Sequence, residues 1–523
     1  MTKSKMRVVR TAGLAALAAS ALVLSACSGS PSSSAGGDGA VAADGGHLTV
    51  VTSARGWEGL DPAASAVSTY RVMLFSIYDP LFKLDEKGEV VPWLVKEASS
   101  SDDGLEWTFE LQDGVKFHDG TDFNAEAVKI NLDRQTDTEK RSGEGGNLPR
   151  GAMSTEVVDD LTVKILLDDP VESLTSALAS SVVGLMASPS AIEKYGEDYG
   201  LHPVGTGPFV FDDTAHIVGQ SAHATKNEDY WVDGQPKLDE ITFKQMDSAA
   251  SGLQALRSGE AQMLDNAGPM QVDAIAGDSD FTGVFQPPVT VSQLYMNTKK
   301  APFDDIRARQ AITLAIDQQD LIDNLFYGIG APASSPIGSG SWAFPGWVES
   351  YPKPDVEAAK KLVDEIGGLS FTGLFANTSE GAELGAAIQS QLARAGIKME
   401  VSTPDQATRI SDTFGGKFEL VQFAVMGSAD PDVLFRPWFD PSGANPSGID
   451  DAELHSLLME ARTTPGNDAR AAIYAKAAER VAKLSPTAYL AEVPLYKILS
   501  SDLVGFSMPP ADAPYMGEVA FKK

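Results

Sequence analysis

The side-chain patterns that most often carry catalysis are absent from this 523-residue sequence. It contains no His-Glu-x-x-His metal motif, no Gly-x-Ser-x-Gly nucleophile turn and no Gly-x-x-x-x-Gly-Lys phosphate loop. Gly328 and Gly330 lack the third glycine of a dinucleotide-binding turn. The six histidines do not cluster with acids at metal-ligand spacing; they are His47, His118, His202, His216, His223 and His455. These patterns favour binding over catalysis and predict neither a metal nor a cofactor.

Hydrophobic periodicity predicts the elements that would position a binding site. Alternation with a period of two predicts strands at 106–111 and 161–166, and a β-rich run predicts one at 47–53. Further strands are predicted at 372–376, 398–402 and 419–425. Apolar residues at helical spacing predict helices at 70–75, 124–133, 306–326, 356–366 and 384–395. Because strands and helices alternate in the second half, the pattern favours a mixed α/β sheet there.

The N-terminal residues have the layout of a secretory signal. Four basic residues precede an apolar run, 12–24, which is too short to span a bilayer. The run ends at Leu24-Ser25-Ala26-Cys27, which resembles the lipobox of bacterial lipoproteins, where the cysteine is acylated before cleavage. Cys27 is the only cysteine, so an internal disulfide is impossible. The alternative is a free thiol behind an ordinary signal peptide.

Composition separates the rest of the chain into a tether and a folded part. Residues 28–46 are almost entirely Ser, Gly, Ala and Asp, which predicts a flexible tether. The formal net charge is −31, and it becomes −35 once the four basic residues of the signal are removed. Such a charge argues against nucleic acid as a partner. About 475 residues follow the tether, which predicts two or three domains.

Short motifs spread over most of the chain carry a family resemblance. Each is weak alone, but their order and spacing are distinctive. They are Tyr78-Asp79-Pro80-Leu81, Pro92-Trp93-Leu94, Trp107-Thr108-Phe109, Asp113-Gly114, Asp119-Gly120, Gly205-Thr206-Gly207-Pro208-Phe209, Asn227-Glu228-Asp229-Tyr230-Trp231, Leu256-Arg257-Ser258-Gly259-Glu260, Met296-Asn297-Thr298 and Arg309-Gln310-Ala311-Ile312. Together they resemble the extracellular solute-binding proteins of peptide, opine and nickel ABC importers (family 5), which include dipeptide- and oligopeptide-binding proteins.

Several of these motifs also have a structural interpretation. The Asp-Gly pairs at 113–114 and 119–120 are typical of turns. The segment 205–208 predicts a tight turn in which glycine supplies a positive φ and Pro208 fixes the exit.

The resemblance implies an α/β fold with two hinge-connected lobes, the periplasmic-binding-protein fold, with an inserted third subdomain and the ligand in the interlobe cleft. The implied domains are a signal peptide (1–26), a lipidated tether (27–46), lobe one (47–289, with an insertion at about 69–201), lobe two (290–490) and a return to lobe one (491–523). Closure of the lobes around a ligand is the signal that the permease of such an importer reads.

Family members contact ligand through the loop after the first strand, the hinge-crossing region and a lobe-two loop rich in Asp and Pro. The resemblance therefore implies ligand contacts at Trp57, Tyr70, Tyr295, Asn297, Trp342, Met426 and Asp430. Packing or turn capping is the alternative role for each of these residues.

One departure from the family pattern bears on the ligand. Peptide-binding members place an Asp three residues before the Asp-Pro pair, where its carboxylate holds the ammonium of the peptide. Here that position is Gly427, and Asp430 is either a turn residue before Pro431 or an ammonium partner. Peptide capture therefore requires that another acid supplies the contact.

The sequence thus predicts the substrate-binding receptor of an ABC importer, not an enzyme, with a small solute or short peptide as its ligand. Oligosaccharides, opines and metal chelates remain alternative ligands, and a surface-anchored sensory receptor without transport is an alternative role. The predicted partners are the ABC permease and ATPase subunits and, through Cys27, the lipid bilayer. We expect a monomer that is exported and lipid-anchored to the outer face of the bacterial cell membrane.

Overall fold

The computed structural model describes residues 42–53, 59–63, 71–137, 148–149, 152–286, 288–425, 430–441, 443–509 and 511–523. All of these residues belong to the unit Val41–Lys523. Among the helices in these ranges, none is long and apolar enough to cross a membrane.

The described part of the chain contains both strands and α-helices, in short runs of each kind. The strands are β1 (His47–Thr52), β2 (Phe82–Leu84), β3 (Val90–Pro92), β4 (Val95–Ser100), β5 (Glu106–Leu111), β6 (Met153–Asp159), β7 (Thr162–Leu167), β8 (Phe209–Phe211), β9 (Ser221–Lys226), β10 (Glu240–Gln245), β11 (Met263–Ala267), β12 (Phe281–Phe285), β13 (Val291–Met296), β14 (Ser370–Leu374), β15 (Lys398–Ser402), β16 (Leu420–Val425), β17 (Thr487–Glu492), β18 (Tyr496–Ser500), β19 (Leu503–Val504) and β20 (Ala520–Phe521). The α-helices are α1 (Arg71–Ile77), α2 (Ala125–Thr136), α3 (Leu174–Ser180), α4 (Pro189–Tyr195), α5 (Ala249–Arg257), α6 (Pro269–Ala274), α7 (Ile306–Ala315), α8 (Gln318–Leu325), α9 (Val356–Glu365), α10 (Ser379–Arg394), α11 (Gln406–Phe414), α12 (Asp432–Phe439), α13 (Ala452–Thr463) and α14 (Asn467–Leu484).

A seven-stranded sheet joins the start and the end of the described chain. Its strand order is β12-β18-β11-β1-β10-β9-β8. Strand β1 pairs in parallel with both β10 and β11, so it is central and its apolar residues are buried. The late strand β18 lies between β11 and β12 and is antiparallel to both.

A four-stranded antiparallel sheet, β4-β5-β7-β6, is formed by the segment between β1 and β8. Helix α2 packs on it, and the Asn124 side chain caps that helix by accepting from the Ala127 amide at 3.0 Å, as the sequence predicts. The hairpin β2–β3 and helix α3 lie beside this sheet and contact each other.

A five-stranded mixed sheet, β15-β14-β16-β13-β17, organises the second half of the chain. Strand β14 is parallel to β15 and β16, whereas β13 is antiparallel to β16 and β17. The predicted helix at 306–326 is divided into α7 and α8. The reason is Asp317, whose carboxylate accepts from the Asp320 amide at 3.1 Å and so begins a new helix.

The chain passes twice between the seven-stranded and the five-stranded sheets, from β12 to β13 and from β17 to β18. These two crossing segments are hydrogen-bonded to each other. The Val493 amide donates to the Thr290 carbonyl at 3.0 Å, and the Gln286 amide donates to the Leu495 carbonyl at 3.1 Å. The paired crossings lie at the predicted boundaries between the lobes, 289/290 and 490/491, where the hinge is expected.

The glycine turn at 205–208 is needed for close packing rather than for its dihedral angles. A Cβ on Gly205 would lie 2.2 Å from the Ile77 carbonyl oxygen, and one on Gly207 would lie 2.5 Å from the Ile77 carbonyl carbon. Neither glycine has a positive φ, so that part of the prediction is wrong. The turn predictions for Gly114 and Gly120 are confirmed, with φ values of 77° and 83°.

Candidate ligand-binding site

A cavity of about 400 Å³ lies between the β2–β3 hairpin and α3 on one side and the helices of the five-stranded sheet on the other. Its volume is within the range of about 300–1,000 Å³ that small-molecule sites span. The described lining residues are Lys87, Gly88, Glu89, Val90, Glu172, Thr175, Ser176, Val289, Gly340, Ser341, Trp342, Asp430, Asn467 and Arg470. Residues far apart in sequence therefore converge on one partly open cavity that includes Val289.

A buried ion pair, Asp430–Arg470, forms the floor of this cavity. The guanidinium binds the carboxylate in a bidentate manner, with Nη1–Oδ2 and Nη2–Oδ1 distances of 2.6 and 2.8 Å. Its Nε donates to the Ala461 carbonyl at 2.9 Å. Burial lowers the pKa of Arg470, but the carboxylate of Asp430 outweighs that effect and holds the pKa above its ordinary value. Burial also raises the pKa of Asp430, and Arg470 opposes that effect. The bidentate geometry is that of an ion pair in which each charge largely neutralises the other.

Trp342 provides an aromatic wall. The Arg470 guanidinium lies 5.3 Å from the centre of its ring, and the ring of Tyr474 meets it edge-on at 6.2 Å. The indole is half-buried, and part of it packs against Tyr474 of α14 while the residue also lines the cavity. Such a surface suits the apolar portion of a ligand or a cation above the ring.

The loop that carries Trp342 is held by the hinge. The amide and the hydroxyl of Ser339 both donate to Oε2 of Glu492, at 3.1 and 2.6 Å, and Glu492 is the last residue of β17. A Cβ on Gly338 would lie 2.2 Å from the Pro288 carbonyl oxygen, so only glycine fits there. Movement at the hinge and the position of this aromatic wall are therefore mechanically linked.

A direct contact also joins the two sides of the cavity. The amide of Glu172, just before α3, donates to the carbonyl of Arg462 in α13 at 3.2 Å. The Glu172 side chain lines the cavity next to this contact.

The predicted site residues divide into three groups. Trp342 and Asp430 line the cavity together. Tyr295 is fully buried and stacks on Trp438 at 3.9 Å, and Asn297 donates its side-chain amide to the Gly416 and Phe418 carbonyls; neither lines the cavity. Their role in binding stays a prediction, for which the observed positions favour the packing alternative. The remaining predicted residues lie outside the described residues: Cys27, Trp57, Tyr70, Met426 and, with them, Gly427.

Three cavity or hinge residues were not predicted from the sequence: Glu172, Arg470 and Glu492. Arg470 and Glu492 act through partners 40 and 153 residues away, and no local pattern marks such pairs. Glu172 follows an Asp-Asp-Pro-Val segment that has no distinctive spacing. In the described part of the chain, no group of three or more His, Cys, Asp or Glu side chains could hold a metal ion.

Comparison with sequence families gives a match over most of the chain. The model for bacterial extracellular solute-binding proteins, family 5 Middle, matches residues 89–446. The chain is also 32% identical over 467 residues to the glutathione-binding protein GsiB of Salmonella typhi, across 86% of this chain and 90% of that protein. The GsiB protein of Pectobacterium atrosepticum is 31% identical over the same length.

Solved structures share the fold. The ABC transporter-associated periplasmic binding protein DppA from Helicobacter pylori, in complex with the peptide STSA, has a TM-score of 0.83 at 24% identity, and the match covers 92% of this chain and 99% of that one. A dipeptide-binding protein from Pseudoalteromonas sp. SM9913, in complex with Met-Leu, has a TM-score of 0.82 at 22% identity and covers 91% and 100%. The predicted α/β, two-lobed periplasmic-binding-protein fold is confirmed.

Proposed function

The chain belongs to the bacterial extracellular solute-binding proteins of family 5 and is the substrate-binding receptor of an ABC importer; from that premise we propose that its ligand is a short peptide or a peptide-like compound. The observation that carries the proposal is the cavity of about 400 Å³, which is lined from both sides of the cleft and is bordered by the hinge. The relatives support the same ligand class, since GsiB is a glutathione-binding protein and the DppA structure contains a peptide.

The receptor works by closing around its ligand. The lining residues Lys87–Val90 and Glu172–Ser176 belong to one side of the cleft, and Gly340–Trp342 with Arg470 belong to the other, so a bound ligand would contact both. Such a ligand stabilises the closed state because it gains contacts there that the open state lacks. The permease then distinguishes the loaded receptor from the empty one by its shape, and the receptor performs no chemistry.

The domain boundaries fit this mechanism and form part of the proposal. Lobe one comprises 47–289 and 491–523, with the insertion at about 69–201, and lobe two comprises 290–490. The two hydrogen-bonded crossings near Thr290 and Val493 support a hinge at these limits.

We further propose that the receptor is a monomer that is anchored to the outer face of the bacterial membrane through lipid on Cys27. Two or more acyl chains give stable attachment, since each buried methylene contributes about 0.8 kcal/mol. In cells, Cys27→Ser should abolish labelling by a palmitate analogue. Labelling that survives this change would rule out the anchor.

Calorimetric and thermal titration of the mature chain, from Cys27 onward, tests the ligand class. The panel contains di-, tri- and tetra-alanine, glutathione, maltotriose and agropinic acid. A ligand at a hundredfold excess over its Kd stabilises the folded state by about 2.7 kcal/mol, so the unfolding midpoint rises for the class that binds. We expect the shift with peptides or glutathione. A shift with agropinic acid or maltotriose alone would replace the peptide proposal with an opine or oligosaccharide ligand.

A further inference from the structure

The carboxylate of Glu172 lines the cavity without a partner. No described side chain or backbone group donates a hydrogen bond to it, and no described Lys, Arg or His forms an ion pair with it. The side chain is half-buried, and its backbone is fixed by the hydrogen bond from its own amide to the Arg462 carbonyl. A carboxylate that is partly desolvated and has no cation of the protein paired with it can accept a cationic group from outside the chain.

One of the two cations that line the cavity is already committed. Arg470 faces Glu172 across the cavity, but both of its terminal nitrogens bind Asp430 and its Nε binds the Ala461 carbonyl. Burial raises the pKa of Glu172, Asp430 raises it further, and Arg470 opposes them without cancelling the shift. The protein itself therefore leaves an excess of negative charge at this wall, since the five charged lining residues are three acids and two bases.

A second polar group of α3 is also unpaired. The hydroxyl of Ser176 is buried and has no hydrogen-bond partner among the described residues, although Ser176 lines the cavity. Ser176 follows Glu172 by four positions, and it is only 7% exposed. A buried hydroxyl normally has a partner, so its position beside an unpaired carboxylate indicates a polar ligand group at this wall.

We propose that Glu172 binds a cationic nitrogen of the ligand, an ammonium of the peptide terminus or of a basic side chain, at the α3 wall of the cavity. This inference rests on the proposed function and specifies its ligand class. It assigns the amine contact to the inserted subdomain. The family pattern places this contact on an Asp of lobe two, but that position is Gly427 here. Asp430 does not take this role because its carboxylate is occupied by Arg470.

The test uses paired ligands and a matched control variant. Wild type, Glu172→Gln and Asp169→Asn are titrated calorimetrically with di-, tri- and tetra-alanine and with the N-acetylated form of each. Asp169 is an exposed acid in the same segment that does not line the cavity. Asp169→Asn therefore removes the same charge at a position that the ligand is not expected to contact. N-acetyl-Ala-Lys-Ala, whose only cation is its side chain, separates the two sources of the ammonium.

We expect Glu172→Gln to bind the free-amine peptides about 10- to 100-fold more weakly than wild type, because it loses a charge-assisted hydrogen bond. The acetylated forms should bind wild type weakly and should not distinguish Glu172→Gln from it. Asp169→Asn should stay within about twofold of wild type, because exposed charges are screened.

Each other result has a definite meaning. Equal affinity of wild type for the free and the acetylated peptides, or an unchanged affinity of Glu172→Gln for the free peptides, overturns this inference and leaves the proposed peptide ligand intact. Binding of N-acetyl-Ala-Lys-Ala in place of the free-amine alanines, weakened in Glu172→Gln, supports the Glu172 contact with a basic side chain as its source; binding that Glu172→Gln does not weaken overturns the contact. Failure of wild type to bind any of these peptides or glutathione overturns the peptide ligand and this inference together.

Discussion

Removal of the Arg470 guanidinium should destabilise the protein strongly. The side chains of Arg470 and Asp430 are only 3% and 4% exposed, so Arg470→Met leaves a buried carboxylate without its bidentate cation. Breaking a buried pair in this way costs about 3–5 kcal/mol. In a domain of about 150–250 residues, each kcal/mol lowers the unfolding midpoint by about 2–4 °C, so we expect a fall of about 6–20 °C.

Scanning calorimetry measures this effect, and Arg480→Met is the matched control. Arg480 lies on the same helix, α14, and pairs with Asp451 at 2.6 Å, but its side chain is 29% exposed. A partly exposed pair contributes about 0–1 kcal/mol, so the control should lose less than about 4 °C. The double variant Asp430→Asn/Arg470→Met should lose less stability than the sum of the losses of the two single variants, because neither buried charge remains. Equal losses for Arg470→Met and Arg480→Met, or strictly additive single losses, would refute the reasoning.

Three further predictions concern lobe one and the hinge. Burial lowers the pKa of His118 to about 4 from 6.5, so the stability that its neutral ring confers is complete above pH 6.5 and is lost as the pH falls toward 4. In calorimetry, the unfolding midpoint of His118→Gln should fall less steeply toward acid pH than that of wild type, and parallel curves would contradict this. Gly338→Ala places a Cβ 2.2 Å from the Pro288 carbonyl oxygen and should displace the loop that carries Trp342. Titration should then show weaker ligand binding and a changed tryptophan fluorescence spectrum, whereas wild-type affinity would show that the loop tolerates the shift. Burial raises the pKa of Glu492, so its ionised form destabilises the fold above the folded-state pKa, and this effect disappears as the pH falls toward 4.5. Calorimetry should therefore find Glu492→Gln more stable than wild type at pH 7. A stability difference that does not shrink at lower pH would contradict this explanation.

Sequence patterns predicted helices and strands well wherever the sequence of neighbouring residues alone determines them. The strand at 398–402 and the helix beginning at Val356 agree with the structure, because alternation and an amphipathic face are properties of consecutive residues. Helix boundaries were less predictable. Helix α10 begins at Ser379, five residues before the predicted start, because Thr378 caps it by accepting from the Gly381 amide at 3.0 Å. Its first turn contains no large apolar residue, so hydrophobic spacing gives no sign of it.

The binding site was less predictable because its chemistry depends on contacts between distant segments. Tyr295 lies in β13 and Asn297 follows that strand. Strand β13 is an interior strand between β16 and β17, and all of its residues are buried, as is Asn297. A strand covered on both faces supplies packing rather than ligand contacts. The charged residues of the cavity lie instead in segments outside the sheet, and the role of each depends on its partner. Asp430 is neutralised by an arginine 40 residues later, whereas Glu172 has no such partner among the described residues. The same residue type thus has opposite consequences at the two positions, and only the fold distinguishes the acid that stabilises the protein from the acid that is available to a ligand.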